Sequence, residues 1–532
     1  MGSKKLQIWL PLLFSIVMIA GMAIGFQLKE KTMAARFFSF SNKSSIQELT
    51  DLIKSRYVDK IAVDSINALV ATELLAHLDP HSVFIPAADL SAVNEEMMGN
   101  FQGIGIEFRI LNDTVNVMTV LKDGPADKAG LITGDQLIAV SDTVNIAGKK
   151  VDPAVIRKLF RGAINTQVKV KYLRNGKLGN VTITRNNIPV SSIDAAYMLS
   201  PGNGYIRINK FAERTYEEFM QSLEQLQKNK MESLVIDLRG NGGGLMKEAV
   251  DIADELLDED KLIVYTEGEH TPRIDYRCKR PGLFEKGKLV VLIDETSASA
   301  SEVLAGALQD WDRATIIGRR SFGKGLVQQQ FQLSDGAAVR LTVARYFTPL
   351  GRNIQKPYNK GVKAYQEELV NRYHLTDSTN KMDTAVLAKK VYKTKSGKTV
   401  LGGGGITPDS IVAFDSSRYP IAFVQLLMTN TLANAAYQYF VANRSMFNQF
   451  SNPQSFSKGY LPGSAEWTTI TSVSQNEKIS LAAVNADGKQ LILNRFKSLI
   501  SRHLWRDLGY FIIVNENDPV IAKALNSIGN TN

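Results

Sequence analysis

The stretch LVVLIDETSASASEVLAGALQD, residues 289–310, contains an apolar run, a turn with three alternating serines and a second apolar segment. Its first run is short and β-branched, which favours a buried strand, whereas its last part has apolar residues at helical spacing. An earlier segment repeats this order, with an apolar run at 233–238, the glycine loop RGNGGG and another apolar helix pattern. Two such units predict an α/β sheet with functional loops at the carboxyl ends of its strands.

The serines admit two interpretations. Ser299 stands three residues before Glu302, which is the spacing of a capping box at a helix start. A helix N-terminus also carries free N–H groups and partial positive charge, which can stabilise an oxyanion next to a nucleophile. The serines alone leave both interpretations open, so a base and an oxyanion site elsewhere in the chain must decide.

The glycine loop that follows the earlier strand, residues 240–244, is a candidate oxyanion site. It lacks the Lys-Ser/Thr pair of a phosphate-binding loop and the spacing of a dinucleotide fingerprint. Glycines let backbone N–H groups approach a reacting carbonyl closely. This loop is therefore a poor nucleotide site and a plausible partner for the serine turn.

A candidate base lies in SFGKGLVQQQFQL, where Lys324 stands between two glycines ahead of a strand-like run. Gln328 follows four residues later, so a regular strand would present both side chains on one face. A lone lysine is usually a solvated charge, but one in a dry pocket loses its proton more easily and can activate a serine. Gln328 could then orient the amine.

Composition and residue counts exclude several other chemistries. The 532 residues suggest three to four domains, and the formal charge of +10 is spread along the chain, which disfavours nucleic-acid binding. A single cysteine, Cys278, rules out an intramolecular disulfide and a cysteine-rich zinc site. The five histidines are scattered and form no HExxH pair. These counts give little support to a Cys/His or Ser/His mechanism, and a serine activated by a lysine requires no metal and no organic cofactor.

The N-terminus has the pattern of an export signal. Lys4 and Lys5 precede an apolar run at residues 6–26, which is about long enough to cross a bilayer. We expect residues 1–28 to anchor the chain in the inner membrane with the rest in the cell envelope on the periplasmic side. The alternative is a cleaved signal peptide, with Gly21-Met22-Ala23 as the cleavage site, that leaves a periplasmic protein.

The periodicity and composition of the sequence predict four further regions. Residues 29–95 have helical periodicity, whereas residues 96–187 alternate as short strands with glycine turns and a hairpin signal at Arg174–Lys177. Residues 188–412 have the α/β pattern, interrupted by a polar, lysine-rich insertion at about 358–400. Residues 413–532 return to amphipathic helices, for which we hypothesise a protein–protein contact role.

Six motifs together resemble the carboxyl-terminal processing peptidases, or tail-specific proteases, over roughly residues 45–412. They occur in that family's order and are LDPHS, VIDLRGNGGG, TSASASEVLAGALQD, SFGKGLVQ, RLTVARYFTPLGRNIQ and GGGITPD. The resemblance implies a multidomain α+β chain whose peptidase core is crotonase-like.

The resemblance also implies roles for individual residues. Ser299 corresponds to the family's nucleophile and Lys324 to its base, and Gln328 corresponds to the glutamine four residues after that lysine. The N–H groups of Gly243 and Ala300 would form the oxyanion hole. The family's NPGG loop is represented by Asn241–Gly244, with Gly242 in place of proline. Ser299 is thus expected to be the nucleophile, with Ser297 and Ser301 as local hydrogen-bonding residues. Asp310 also matches a family position, and we expect it to be structural.

The β-rich region then resembles a PDZ domain. Gly103, Ile104, Gly105 and Ile106 are similar to its carboxylate-binding loop, and GPADKAGLITGDQLIAV is similar to the segment that follows. In such a domain a peptide adds as a strand while loop N–H groups bind its terminal carboxylate.

The sequence therefore predicts an exported Ser/Lys endopeptidase that binds unstructured apolar C-terminal tails of proteins through its PDZ-like domain. Expected partners are those protein substrates and the membrane, with a homo-oligomer possible. A catalytically inactive PDZ scaffold in the cell envelope is the main alternative. The sequence lacks the GNSGG loop of a trypsin-like PDZ protease. It also shows no sign of the coenzyme A site that a crotonase-type acyl transferase would need.

Overall fold

The computed structural model describes residues 11, 14–24, 44–59, 62–141, 143–258, 260–375 and 390–529. The chain divides into two compact units, residues 1–73 and residues 74–532.

The described part of the first unit is helical. Residues 14–24 form an exposed helical segment. Helix α1, Ser45–Arg56, begins where the Ser44 hydroxyl accepts a hydrogen bond from the Gln47 N–H at 3.3 Å. Helix α2 comprises Val63–Ala76. Among the described helices, none combines the length and apolarity that a membrane span needs. Much of the predicted anchor or signal segment at 1–28 lies outside the described residues.

The β-rich region folds as a six-stranded antiparallel sheet with two helices. Its sheet order is β3-β4-β5-β7-β8, with β6 beside β5. The elements are β3 (Ile106–Leu111), β4 (Thr114–Val120), α4 (Pro125–Lys128), β5 (Gln136–Val140), β6 (Val144–Asn145), α5 (Pro153–Phe160), β7 (Gln167–Arg174) and β8 (Lys177–Thr184). Arg174 pairs with Lys177 across a turn in which Asn175 and Gly176 both have positive φ, so the predicted hairpin is confirmed. β3 is an edge strand of this sheet.

The β-rich region is joined to the rest of the second unit by one segment before it and one segment after it. β1 (Val83–Ile85) and helix α3 (Ala87–Met98) lead into β2 (Asn100–Gly103). β2 pairs antiparallel with β9 (Asn186–Pro189), which leaves the region, so its two ends lie side by side.

The α/β region is built on a six-stranded sheet in the order β10-β11-β12-β15-β16-β21. All neighbouring pairs are parallel except β10 with β11. The strands are β10 (Ile193–Ser200), β11 (Asn203–Ile208), β12 (Ser233–Asp237), β15 (Lys288–Ile293), β16 (Thr315–Gly318) and β21 (Ser410–Ile411). Helices α6 (Thr215–Lys228), α7 (Met246–Asp254) and α8 (Ala300–Asp310) pack on one face through the main hydrophobic core. This arrangement places the glycine loop and the serine turn at the carboxyl ends of adjacent strands β12 and β15.

A second, antiparallel sheet carries the candidate base. It contains β1, β13 (Leu262–Gly268), β14 (Thr271–Arg277), β17 (Leu326–Gln332) and β18 (Ala338–Phe347). Lys324 stands two residues before β17, and β18 pairs with β1, β13 and β17. The described parts of the predicted insertion are helix α9 (Gly361–Leu375) and the start of the hairpin β19 (Lys390–Lys393) and β20 (Thr399–Gly402), whereas its residues 376–389 lie outside the described part.

The C-terminal region is helical and its apolar faces pack within the chain. Helices α10 to α15 share one hydrophobic cluster. They are α10 (Ile421–Met428), α11 (Thr431–Ala442), α12 (Arg444–Phe447), α13 (Pro453–Gly459), α14 (Ser464–Asn476) and α15 (Ala486–Asn515), which is kinked at Trp505 and Arg506. The last helix, α16 (Pro519–Gly529), packs on the second face of the six-stranded sheet. Internal packing thus accounts for much of the helical periodicity in this region.

Candidate active site

Ser299 lies at the turn between β15 and α8, in a conformation that L-residues rarely adopt. Its backbone has φ 56° and ψ −114°. The serines on either side hold the turn, because the Ser297 hydroxyl donates to Leu238 O at 2.8 Å and the Ser301 hydroxyl donates to Asn241 O at 3.0 Å. Such strain persists only where the surroundings over-determine it, and it is frequent at functional sites. Ser297 and Ser301 therefore fix the backbone on which Ser299 is presented.

Glu302 joins the serine turn to the lysine loop. Its Oε2 accepts the N–H groups of Ser299 and Lys324, each at 2.9 Å, and its Oε1 accepts the Gly323 N–H at 2.7 Å and the Ser321 hydroxyl at 2.5 Å. Burial raises the pKa of the Glu302 carboxyl to about 7, and these donors offset part of the cost of burying its charge. The carboxylate at the third helical position thus contacts both loops, which a capping role alone does not require.

The glycine loop packs directly against the serine turn. A Cβ on Gly243, where φ is 97°, would lie 2.6 Å from Ala298 O and 2.7 Å from Ser299 Cβ, so only glycine fits. The N–H of Gly243 donates to Asn241 Oδ1 at 2.8 Å and is engaged within the loop. Within the described part of the chain, the N–H groups of Ala300 and Gly244 have no hydrogen-bond partner. Of the two predicted oxyanion donors, Ala300 is open and Gly243 is occupied.

Lys324 and Gln328 are in direct contact. Lys324 Nζ donates to Gln328 Oε1 at 3.0 Å, and Gln328 Nε2 in turn donates to the backbone oxygen of His81 at 2.5 Å. The pairing of β17 with β18 is irregular between Val327 and Gln328. Burial, followed by the nearby charge of Arg340, lowers the pKa of Lys324 below its ordinary value. The lysine is therefore held by a neutral acceptor in surroundings that favour its neutral form.

The structure brings the serine and the lysine into one cleft of about 670 Å³. Gly243, Ser299, Ala300, Lys324 and Gln328 all line it. The hydroxyl of Tyr346 also lies between the two loops, 3.1 Å from Ser299 O and in contact with Lys324 O. Five separately predicted positions thus converge on one surface.

The LDPHS turn supports Gln328, a role that sequence reasoning did not assign. Asp79 Oδ1 accepts the N–H groups of His81 and Ser82, both at 2.8 Å, and its Oδ2 accepts the Ser82 hydroxyl at 2.6 Å. His81 Nε2 contacts the Tyr365 hydroxyl at 2.8 Å, and burial lowers the pKa of His81 to about 4, so the ring is neutral. The motif itself was the available signal, but its partner lies 247 residues away.

Asp310 has structural partners. Its Oδ2 accepts the Leu350 N–H at 2.9 Å, and the Arg352 guanidinium lies 2.5 Å from its Oδ1. Both charged side chains are fully buried. Asp310 thus ties the end of α8 to the loop after β18 and is absent from the residues that line the cleft.

The predicted peptide-binding loop lines a separate groove of about 360 Å³. Gly103, Ile104, Gly105 and Ile106 form one wall, and Phe108 and Phe160 contribute aromatic surface with ring centroids 5.9 Å apart. The exposed charged residues of the groove are Arg157, Arg161 and Glu107, and Arg161 pairs with Glu95 at 3.0 Å. An apolar groove beside an edge strand suits an extended peptide.

Comparison with known proteins assigns the class. The family model described as Peptidase family S41 matches residues 202–365, and the PDZ domain model matches residues 102–184. The chain is therefore a serine endopeptidase that carries a PDZ domain.

Two curated relatives define its family. A carboxy-terminal-processing protease of Bartonella bacilliformis is 33% identical over 319 residues, which are 58% of this chain and 71% of the relative. A carboxyl-terminal-processing protease of Synechocystis sp. is 33% identical over 376 residues, or 67% of this chain and 87% of the relative. The chain belongs to the carboxyl-terminal processing protease family. A solved photosystem II D1 C-terminal processing protease is 32% identical, with 60% of this chain and 85% of that chain covered at a TM-score of 0.35. The crotonase-like description of the core stays a prediction.

Proposed function

We propose that Ser299 attacks the scissile carbonyl of a protein substrate and that Lys324 accepts the serine proton, which it later delivers to the leaving amine. The contact that carries this proposal is the 3.0 Å hydrogen bond from Lys324 Nζ to Gln328 Oε1 inside the cleft that Ser299 also lines. A neutral amine held by an amide oxygen keeps its lone pair for the hydroxyl proton. Gln328 is a positioning residue in this mechanism, since it acts through Lys324.

The oxyanion of the tetrahedral intermediate would accept the N–H groups of Ala300 and Gly243. Ala300 is the first residue of α8, so its free N–H has the added support of the helix N-terminus. The N–H of Gly243 must first leave Asn241 Oδ1, which is 2.8 Å away. Loss of one such donor typically reduces the rate about a hundredfold or more.

Substrates would be proteins with unstructured, apolar C-terminal tails bound by the PDZ domain. The groove offers Ile104, Ile106, Phe108 and Phe160 to apolar side chains and the edge strand β3 to the peptide backbone. Export of the chain and its attachment to the membrane through residues 1–28 stay predictions from the sequence. Membership of a protease family weighs against the alternative of an inactive PDZ scaffold.

The test is cleavage of an unfolded reporter that carries an apolar C-terminal tail. We expect the parent to cut it and the Ser299→Ala and Lys324→Ala variants to lose about a thousandfold or more in kcat/KM, because nucleophile and base act together. Lys523→Ala changes an exposed lysine on α16 and serves as the control.

Two outcomes would contradict the proposal. If folded parent and variants all bind the reporter and none cuts it, the chain is a tail-binding scaffold. If both variants cut as fast as the parent, Ser299 and Lys324 are not the reacting pair.

A further inference from the structure

Arg340 presents a guanidinium group to the active-site cleft. It lies on β18 opposite Gln330 of β17, and it is one of the residues that line the cleft with Ser299 and Lys324. Its Nη2 donates to Met97 Sδ at 3.3 Å and makes a long contact of 3.4 Å to Gln330 Oε1, and both acceptors are neutral. Among the described residues, no carboxylate forms an ion pair with Arg340.

Several other partly buried arginines of the peptidase region have carboxylate partners, whereas Arg313 donates to three backbone carbonyl oxygens at 2.8–2.9 Å. Arg207 lies 3.2 Å from Asp194, and Arg239 lies 2.7 Å from Asp237. A guanidinium that is half-buried without a counter-charge loses hydration and regains little from neutral acceptors. Arg340 is thus suited to a partner that arrives with the substrate.

The cleft as a whole favours a negative group. Its described lining contains no aspartate or glutamate, and its basic residues are Lys210, Arg340 and Lys324, the last of which reacts as a neutral amine in the proposed mechanism. Glu302 lies behind the lining, where its two oxygens already accept four donors. A cleft lined by charge of one sign raises the local concentration of oppositely charged groups.

We propose that Arg340 binds a carboxylate of the substrate next to the scissile bond, so that the peptidase prefers segments with an acidic group at that position. Apolar flanking residues fit the same wall, because Val93 and Met97 line the cleft together with Arg340. The carboxylate could come from an Asp or Glu side chain or from the chain terminus of a short tail. This proposal rests on the proposed function, since it uses the cleft of Ser299 and Lys324.

The test uses a set of otherwise neutral reporter peptides. Each peptide carries one glutamate, placed at one of the two positions on either side of the cut. Each peptide is compared with its glutamine counterpart, using the full-length parent chain and mass-spectrometric rates. We expect glutamate at one position to raise kcat/KM about tenfold, the scale of a charge-assisted hydrogen bond. Arg340→Gln should abolish this ratio, Arg340→Lys should restore part of it, and Arg340→Glu should transfer the preference to a lysine peptide.

Arg345→Gln is the matched control. Arg345 lies on the same strand but is exposed and lines a different pocket, so the glutamate preference should survive its replacement. Thermal unfolding of every variant separates a lost preference from a lost fold.

If the preferred position lies on the N-terminal side of the cut, the carboxylate belongs to a side chain, because a chain terminus can lie only on the C-terminal side. If it lies on the C-terminal side, a second pair of peptides identifies the source of the carboxylate. Their tails end at the preferred position with either a free carboxylate or an amide. Preference for the free acid over the amide, lost in Arg340→Gln, assigns the chain terminus, whereas preference for internal glutamate alone assigns a side chain.

The outcomes keep the two proposals apart. If the parent cuts the peptides with Ser299-dependent rates but treats glutamate and glutamine alike at every position, the proposal for Arg340 is wrong and the proposed function stands. If the preference persists in Arg340→Gln, another group binds the carboxylate. If the parent cuts no peptide and no unfolded protein, the proposed function is wrong and this proposal falls with it.

Discussion

In the proposed mechanism, the protonation state of Lys324 sets the pH dependence of the reaction. The amine accepts a proton only in its neutral form, so the rate should rise with pH through the pKa of Lys324. Burial and the charge of Arg340 lower this pKa from the ordinary 10.5. We expect the acidic limb of kcat/KM to have its midpoint below 10.5 and Arg340→Gln to move that midpoint to higher pH.

A neutral reporter measured from mildly acidic to alkaline pH gives these midpoints. Arg345→Gln removes a charge of the same type from the same strand outside the cleft, and its profile should match that of the parent. A midpoint in Arg340→Gln that is unchanged or lower would mean that Arg340 does not act on the pKa of the base.

At the scale of elements, Glu302 couples helix α8 to the loop that leads into β17. Glu302→Gln would replace an acceptor oxygen with an NH₂ group that faces two donors. Each stranded donor costs about 1–3 kcal/mol, so we expect the free energy of unfolding to fall by roughly 2 kcal/mol or more. The kcat should also fall, because Ser299 and Lys324 lose the carboxylate that both of their N–H groups share.

Glu466 provides a matched control in another domain. It is also buried, at the third position of helix α14, and accepts the Gly463 N–H at 2.7 Å and the Tyr439 hydroxyl at 2.6 Å. Denaturant unfolding of Glu466→Gln should show a comparable loss of stability with an unchanged kcat in the folded protein. Equal kcat losses in both variants would show that Glu302 acts through stability alone.

At the scale of the whole molecule, the C-terminal helix completes the peptidase core. Val520, Ile521, Ala524 and Ile528 of α16 pack against strand residues such as Tyr205 and Val290 on the sheet face opposite α6 to α8. Asp518, just before this helix, also pairs with Arg239 at 2.7 Å. The peptidase sheet therefore depends on residues beyond the region of family resemblance.

Replacement of a buried residue in α16 should destabilise the peptidase domain. Ile521 is 2% exposed, and Ile521→Asp would bury a charge without a partner in an apolar cluster. We expect a loss of roughly 4 kcal/mol or more, measured by denaturant unfolding and limited proteolysis. Ala522→Asp, at the adjacent exposed position, should change stability little. Similar stability for both variants would mean that α16 is dispensable to the sheet.

Local patterns carried much of the prediction. The run at 289–293 and the helix from Ala300 follow from periodicity, and the hairpin at Arg174–Lys177 follows from turn chemistry. Ser299, Lys324 and Gln328 could be predicted as candidate site residues because their motifs are short and contiguous, and the structure places all three in one cleft. The sequence by itself thus determined the element types, the PDZ and peptidase regions, and the side chains that the cleft brings together.

Only the tertiary structure decided how distant groups act on these side chains. The His81 oxygen accepts a hydrogen bond from Gln328, and Arg340 lines the same cleft as Lys324. The N–H of Gly243 donates to Asn241, and α16 covers the peptidase sheet. None of these contacts is encoded in a local period, because each depends on strand register, loop conformation and the burial of remote segments. The candidate site residues can therefore be predicted from the sequence. Their hydrogen-bond partners and charge states depend on the packing of distant segments.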